Sequence, residues 1–511
     1  MTLKHLNLMR SLIYLGIALV VSHFSASQTL NDISYLTNSG LNGSARYTSM
    51  GGAFGALGGD LTAISDNPAA SSVFLNTEIG GSLNFQTRTN KGIFSGTTQS
   101  TEDENFYFDQ FGAVFVFNNT NQESPWSRIS AAININRIAT FDQQAFLSGT
   151  NTSGIQDYFL YYANGIAFDE IQLYNDETIS EVYRYLGDEV GYGAQQAFLG
   201  YQSYIVDPLS IDPNERSYAS NINSNQVTQD LDLLNEGFHR KTSFNFSALY
   251  NNTLHLGVNI NQHRLEFRNS QKFFEGGHDL DSFVYDVNFN NSLISYGEGF
   301  SLQFGGILKL KNIRLGLGYD SPQWIDIQDE TQQDLSAYHF EDGFEIKETV
   351  APEITNFYAP YRLRIPSKTS FSFAYILNES GLFSVEYSMQ NISNSTLSQN
   401  GGSDFLDSLN TQVNNTFQPV NTLKVGGEYR LKTFSLRAGY FYRTKNQTSL
   451  TNDDRALTLG FGVNFGASNL NFSLIQFEQN QQFNLFSNGL TDPYTLRKDL
   501  TQITISYNFK L

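Results

Sequence analysis

From Glu78 to Leu511 apolar and polar residues alternate with a period of two, the signature of strands with one apolar and one polar face. The alternating segments run for about ten residues, the length a tilted strand needs to cross a bilayer. The last segment shows the pattern most cleanly. Ile503, Ile505, Tyr507, Phe509 and Leu511 share one face, and Thr504, Ser506, Asn508 and Lys510 share the other. The same alternation marks Leu423/Val425/Tyr429, Phe434/Leu436/Ala438/Tyr440, Leu457/Leu459/Phe461/Val463/Phe465 and Phe300/Leu302/Phe304/Leu308. Faces opposite the apolar ones carry Lys424, Glu428, Arg430, Arg437, Arg443 and Arg314.

This pattern predicts fourteen strands, near 78–90, 106–118, 126–139, 238–250, 253–266, 298–309, 312–320, 368–378, 381–391, 420–430, 433–443, 455–465, 469–478 and 501–511. Periodicity alone fits a soluble sandwich or propeller as well as a membrane barrel. Connection lengths separate them. The links 119–125, 251–252, 310–311, 379–380, 431–432 and 466–468 are short, whereas 91–105, 140–237, 267–297, 321–367, 392–419, 444–454 and 479–500 are long. Short periplasmic turns alternating with long surface loops are the habit of outer-membrane barrels, and an even strand number lets the sheet close without an open edge in lipid. The fold expected is therefore all-β: a 14-stranded antiparallel transmembrane β-barrel spanning residues 78–511. Its largest loop, 140–237, holds two aromatic runs, Asp157–Phe168 and Glu181–Tyr204, expected to form short helices. Tyr158, Phe159, Tyr161 and Tyr162 in the first run are candidates for an apolar surface groove.

The stretch before the strands has another character. Residues 39–70 concentrate glycines (Gly51, Gly52, Gly55, Gly58, Gly59) among small apolar residues and close on Asn67-Pro68-Ala69. Such a segment turns tightly and lets other backbone approach closely. It reads as a compact object that the barrel encloses, an N-terminal hatch over residues 28–77 plugging a lumen too wide for its own side chains to fill. Ahead of it, Lys4 and Arg10 precede the apolar run Ser11–Phe24, and Ser25-Ala26-Ser27 supplies the small residues of a cleavage site. Residues 1–27 are expected to be a signal peptide, removed on export.

Composition agrees with strands. The chain of 511 residues has 42 Phe and 28 Tyr but only 10 Pro and 4 Met, a mix suited to pleated sheet rather than helical bundles. Its formal charge of −19 makes nucleic acid an unsuitable partner, because phosphate attracts the opposite sign. The absence of cysteine excludes a disulfide scaffold, a thiolate metal site and a lipidated N-terminal cysteine.

Enzymatic motifs are missing, and no cofactor or metal is expected. There is no HExxH, no G-x-S-x-G and no P-loop. His255 and His263 share a strand face, but eight residues separate them by roughly 25 Å, too far to share a metal. The stretch Asn400-Gly401-Gly402-Ser403-Asp404 reads as a turn rather than a calcium loop.

Ser39-Gly40-Leu41, Ala45, Gly52-Ala53, Asp60 and Asn67-Pro68-Ala69 together resemble the hatch of the FadL-type outer-membrane transporters of long-chain fatty acids and other hydrophobic compounds. The stretches 364–375 (RIPSKTSFSFAY), 423–443 (LKVGGEYRLKTFSLRAGYFYR) and 457–466 (LTLGFGVNFG) resemble strands of the same family. The resemblance implies a fourteen-stranded barrel, an outer-membrane location in a Gram-negative bacterium and passive uptake of fatty acids or similar hydrophobic small molecules. It implies that Asn67, Pro68 and Ala69 hold the hatch and that Gly52, Ala53 and Asp60 shape its turns. Ala70 stands where many relatives have Gly, and the large apolar loop follows the third strand rather than the fifth. Lumen-facing pocket candidates are Phe54, Leu57, Arg314, Lys424 and Arg437.

In that family substrate is implied to leave sideways through the wall at a kinked third strand. Here Ile129, Ala131, Ile133 and Ile135 share one face of that strand; Arg137 is then expected at the lipid-side position and Ile138 at the inner one. A register slip at Asn136, Arg137 and Ile138 would open the wall. Other expected partners are membrane lipids and, through the C-terminal strand, the barrel-assembly machinery; the barrel is expected to be monomeric. A haem or aromatic-ligand receptor, and a surface adhesin or structural barrel with its hatch shut, are the alternative functions.

Overall fold

The structure, a computed structural model, describes residues 30–37, 40–121, 123–378 and 380–511. The expected signal peptide lies outside the described residues. Strands β1 (Glu78–Phe94) and β2 (Thr97–Asn118) form the first hairpin. The third barrel strand is broken into β3 (Trp126–Thr140) and β4 (Gln143–Asn151). Three long strands follow, β5 (Val227–Tyr250), β6 (Leu254–Gly276) and β7 (Val284–Leu310). The seventh comprises β8 (Ile313–Asp320) and β9 (Gln323–Glu341), and the eighth β10 (Tyr361–Ile365) and β11 (Lys368–Leu377). Pro322 and Pro366 sit in these two breaks, where a missing N–H interrupts the ladder. The wall continues through β12 (Gly381–Asn391), β13 (Pro419–Leu431), β14 (Phe434–Arg443), β15 (Asp454–Asn464), β16 (Ser468–Asn484) and β17 (Pro493–Lys510).

Every neighbouring pair is antiparallel, and β17 returns to β1 from Glu78↔Lys510 to Ile93↔Thr495, which closes the 14-strand barrel. Each of the fourteen strands expected from the alternation coincides with one of these wall positions. The direction of the two faces decides between barrel and sandwich. Leu457 and Leu459 are 65% and 58% exposed, whereas Thr458 between them is 2% exposed. Apolar side chains point out toward lipid and polar ones into the lumen.

At the end with long connections the strands outrun the bilayer. β7 alone has 27 residues, where about ten suffice to cross. These extensions carry a helical cap. Between β4 and β5 lie α3 (Ile155–Ala163), α4 (Phe168–Ile171), α5 (Ile179–Tyr185) and α6 (Tyr192–Gln202); α1 (Leu30–Leu36) and α2 (Ala45–Thr48) precede the barrel, and α7 (Asp404–Thr416) follows β12. Local sequence sets their starts: Thr178 and Glu181 form a capping box on α5, and Ser403 caps α7. The Asn400–Asp404 turn therefore leads into a helix, whose Leu406, Leu409 and Val413 are buried on one face.

Candidate functional site

Residues 40–77 lie inside the lower barrel and bond to the wall on many sides. Ala45 N donates to Ser506 Oγ, Gly51 N to Thr458 Oγ1 and Gly55 N to Glu386 Oε2. Across the lumen, Asn259 Nδ2 donates to Ile64 O, Gln303 Nε2 to Ser65 O and Asn136 Nδ2 to Ser65 Oγ. Strand glycines receive this segment. A Cβ on Gly426 or Gly439 would strike Met50, one on Gly257 would strike Pro68, and one on Gly305 would strike Asn67. Glycine inside a strand marks a close backbone approach, so these positions were a readable signal that the alternation alone did not use.

Asn67 is the hinge of the packing. Its side chain accepts from Ala69 N as a helix cap, while Nδ2 donates to Gly55 O at 2.7 Å and to Gly306 O at 3.2 Å. Pro68 occupies the first position of the turn that follows, where its missing N–H costs nothing. Asp60 accepts from Ser44 Oγ at 2.7 Å and from Thr62 N at 2.9 Å. Gly52 has φ +77°, a left-handed conformation, and a Cβ there would press on Leu41 and Tyr47; Ala53 is fully buried.

Above this segment lies a polar chamber of about 200 Å³, bordered by Tyr47, Asp66, Lys241, Lys368, Lys424 and Arg443 among others. A smaller chamber between the segment and β1, β16 and β17 shares Gly40, Leu41 and Asn42 with it. Both reach the third strand. There the β2–β3 ladder stops at Gln110↔Asn136, and β3 slips register against β5 between Arg137 and Ala139, leaving Ile138 as the extra residue of a bulge. Beyond it β4 keeps its ladder with β5, from Gln143↔Asn235 to Asn151↔Val227, and lies against the inner side of β1 instead of pairing with β2: a Cβ on Gly92 would meet Phe146 and Leu147. Among the described residues, the Thr97–Asp109 half of β2 has no ladder partner on the β3 side. The wall is thus broken between the second and third strands.

The chain folds like known barrels despite little shared sequence. It superposes on the crystal structure of a Pseudomonas aeruginosa FadL homologue with a TM-score of 0.55 and 11% identity, over 92% of this chain and 98% of that one. The barrel is FadL-like. The Pseudomonas putida toluene transporter TodX matches at a TM-score of 0.48 and 13% identity, over 92% of this chain and 99% of that one. No family model matches the sequence, and no curated protein matches it.

Within the FadL-like barrel the residues singled out from sequence have distinct fates. Arg137 does not take the lipid side: it is 4% exposed and points inward. The bulge is the reason, because one extra residue lets Asn136 and Arg137 both face in and brings Arg137 Nε to Asp109 Oδ1 at 2.7 Å. Ile138 is half-buried, and its carbonyl accepts from Gly40 N and Asn42 Nδ2. Phe54 and Leu57 are packed in the core between segment and wall rather than facing a chamber. Arg314 donates to Leu57 O, Lys424 is held by Asp66 and Glu386 at 2.9 Å each, and Arg437 pairs with Glu428 at 2.7 Å. Tyr158 and Phe159, expected at a surface groove, are 2% and 0% exposed in the cap core with Phe289 and Phe486; Tyr161 alone of the four is largely exposed, at 57%. Their helix turns its apolar face down onto the strands, as an amphipathic helix does.

His255 bonds to Ser72 Oγ at 2.8 Å. His263 has a neighbour that spacing along one strand could not reveal: His239 on β5, with ring nitrogens 3.0 Å apart. Adjacent strands place residues far apart in sequence side by side.

Proposed function

We propose that this barrel is a passive outer-membrane transporter for long-chain fatty acids or similarly hydrophobic small molecules, with residues 28–77 as its hatch and the break between β2 and β3 as a lateral exit. The observation that carries the reading is the wall break itself, where the ladder ends at Gln110↔Asn136 beside both lumen chambers. A saturated membrane wall has no reason to leave strand edges unpaired, since lipid cannot satisfy them. A gap bordered by apolar side chains gives a hydrophobic solute a path into the bilayer that avoids water. Phe106, Phe108 and Phe111 on β2 are each more than 40% exposed on the lipid side of this break.

Energetics favour such a route. Burial gains about 0.8 kcal/mol per CH₂, so a sixteen-carbon chain gains on the order of 12 kcal/mol on leaving water. The substrate needs no pumping, only a way past the polar surface layer. Uptake of a radiolabelled fatty acid by cells expressing the barrel tests the reading, with cells carrying an empty plasmid as reference. Accumulation faster than that reference is expected; equal rates for fatty acids and for neutral hydrophobic probes alike would contradict it.

A further inference from the structure

At the end of the barrel with the short connections lies a third cavity, of about 370 Å³. It shares no lining residue with either chamber above: the lumen segment presents Arg46, Gly59 and Asp60 to this cavity and Leu41, Tyr47 and Thr62 to the other side. Its ionisable groups are unevenly divided. Arg46 of the segment, Arg430 on β13, Lys432 in the turn after it, Arg437 on β14 and Lys510 on β17 border the cavity. Against them stand only Asp60, Glu78 and Glu428. The surplus is two positive charges, in a chain whose formal charge is −19.

Three of the basic groups converge on one carboxylate. Glu428, whose side chain is 1% exposed, accepts from Arg46 Nε at 3.0 Å and from Arg437 Nε and Arg430 Nε at 2.7 Å each. Each guanidinium thus spends its Nε on the protein and turns its other nitrogens elsewhere. Arg46 Nη1 donates to Gly59 O, and Arg437 Nη1 to Asn471 Oδ1. Among the described residues no acceptor takes Nη2 of Arg46 or Arg437, or either terminal nitrogen of Arg430. The Arg437 side chain is buried, and Gly462 on β15 makes room for it: a Cβ there would lie 2.8 Å from both terminal nitrogens. One carboxylate neutralises one guanidinium. Two more held beside it repel each other, and out of bulk water that repulsion is relieved by further negative charge. Asp60 is taken up by Ser44 and Thr62, and Glu78 by Asn508; neither forms an ion pair among the described residues.

We propose that this cavity binds a divalent oxyanion, free phosphate or the phosphate of a small soluble monoester, between the terminal nitrogens of Arg46, Arg430 and Arg437. Two negative charges match the surplus, and forked guanidinium donors match the oxygens of a phosphate. Asn471, whose Oδ1 is given to Arg437, adds its amide N–H groups to the same wall. Arg46 belongs to the lumen segment and the other two arginines to β13 and β14, so a bound phosphate ties segment to wall from the side of the short turns. The ligand is a hydrophilic solute without an apolar tail, and the site stands whether or not the chambers above carry fatty acids.

The test uses the full barrel in detergent micelles and phosphate-free buffer, with binding of inorganic phosphate, glycerol 3-phosphate and chloride read by calorimetry at constant ionic strength. The parent is expected to bind one phosphate or monoester per barrel, about tenfold or more tighter than chloride, the worth of one hydrogen bond to a charged group. Binding of either supports the site, and the tighter of the two names the source. Variants are first shown to be folded by their β-sheet circular dichroism. Arg430→Gln, at the most exposed of the three arginines, is expected to weaken binding about tenfold or more, and Arg430→Lys to weaken it less. Glu428→Gln removes the competing carboxylate and is expected to tighten binding. A cluster that only braces the barrel would instead lose stability in each variant and bind no phosphate. Saturation by neither phosphate probe, or by chloride equally well, would overturn the oxyanion site. Unchanged affinity in Arg430→Gln would overturn its placement in this cavity.

Discussion

Arg137 and Asp109 form a buried ion pair one residue beyond the last rung of the β2–β3 ladder, with the Arg137 guanidinium 4.0 Å from the Tyr107 ring centre. Asp109 also accepts from Gly43 N of the lumen segment and from Asn84 Nδ2. One carboxylate thus ties together the bulged strand, its neighbour and the segment inside. Removing one member of such a pair leaves a buried charge without its partner and costs about 3–5 kcal/mol, while replacing both with apolar residues of similar volume costs far less. Asp109→Asn is expected to lower the denaturation midpoint strongly, and Asp109→Leu with Arg137→Met to recover most of the loss. Urea titration of refolded protein checks this; equal loss in single and double variants would remove the pair from its place in holding the break together.

Gly58 supports a different prediction. Its φ of +58° is left-handed, and a Cβ there would lie 3.0 Å from the Ala70 Cα and closer still to Val73. Gly58→Leu should therefore strain the segment by about 1–2 kcal/mol or more in backbone conformation alone, without touching any wall ladder. Barrel assembly, read as heat-modifiable gel mobility, is expected to persist while ion conductance in planar bilayers rises. Assembly and conductance falling together would count against residues 28–77 acting as a separable hatch.

Phe159 tests the cap. It is fully buried against Phe289 on β7, and Gly200 of α6 packs directly on its ring. Phe159→Ala is expected to cost the cap about 3–5 kcal/mol and to speed protease cleavage between Ala163 and Tyr218, with the wall left intact. Tyr161→Ala, at the exposed position of the same helix, is expected to change neither. Equal effects from both would contradict the buried placement of Phe159.

The sequence carried the wall almost entirely, because a period-two pattern with one greasy face needs nothing beyond local alternation to be seen. Ile503/Tyr507 and Thr504/Ser506 announce their sides before any pairing is known. Arg137 was misplaced for the complementary reason: a bulge depends on what the strand meets, and Asp109, 28 residues earlier, pulls the side chain inward. The same holds for His239 beside His263. Lys424 and Arg437 looked free as isolated cations, and only the fold shows that Asp66, Glu386 and Glu428 occupy them.

Whether hydrophobic solute leaves sideways or straight down is decided by blocking each path in turn. Deleting Ile138 removes the bulge and should let the β2–β3 ladder continue upward. Thr48→Cys with Ser473→Cys, whose hydroxyls are 2.7 Å apart in the parent, should bolt the lumen segment to β16. Fatty-acid uptake by cells carrying each variant is the measurement. Loss of uptake on deleting Ile138, with uptake preserved in the oxidised cysteine pair, is the outcome expected of a lateral exit; uptake that survives the deletion but stops when the segment is bolted in place would contradict it.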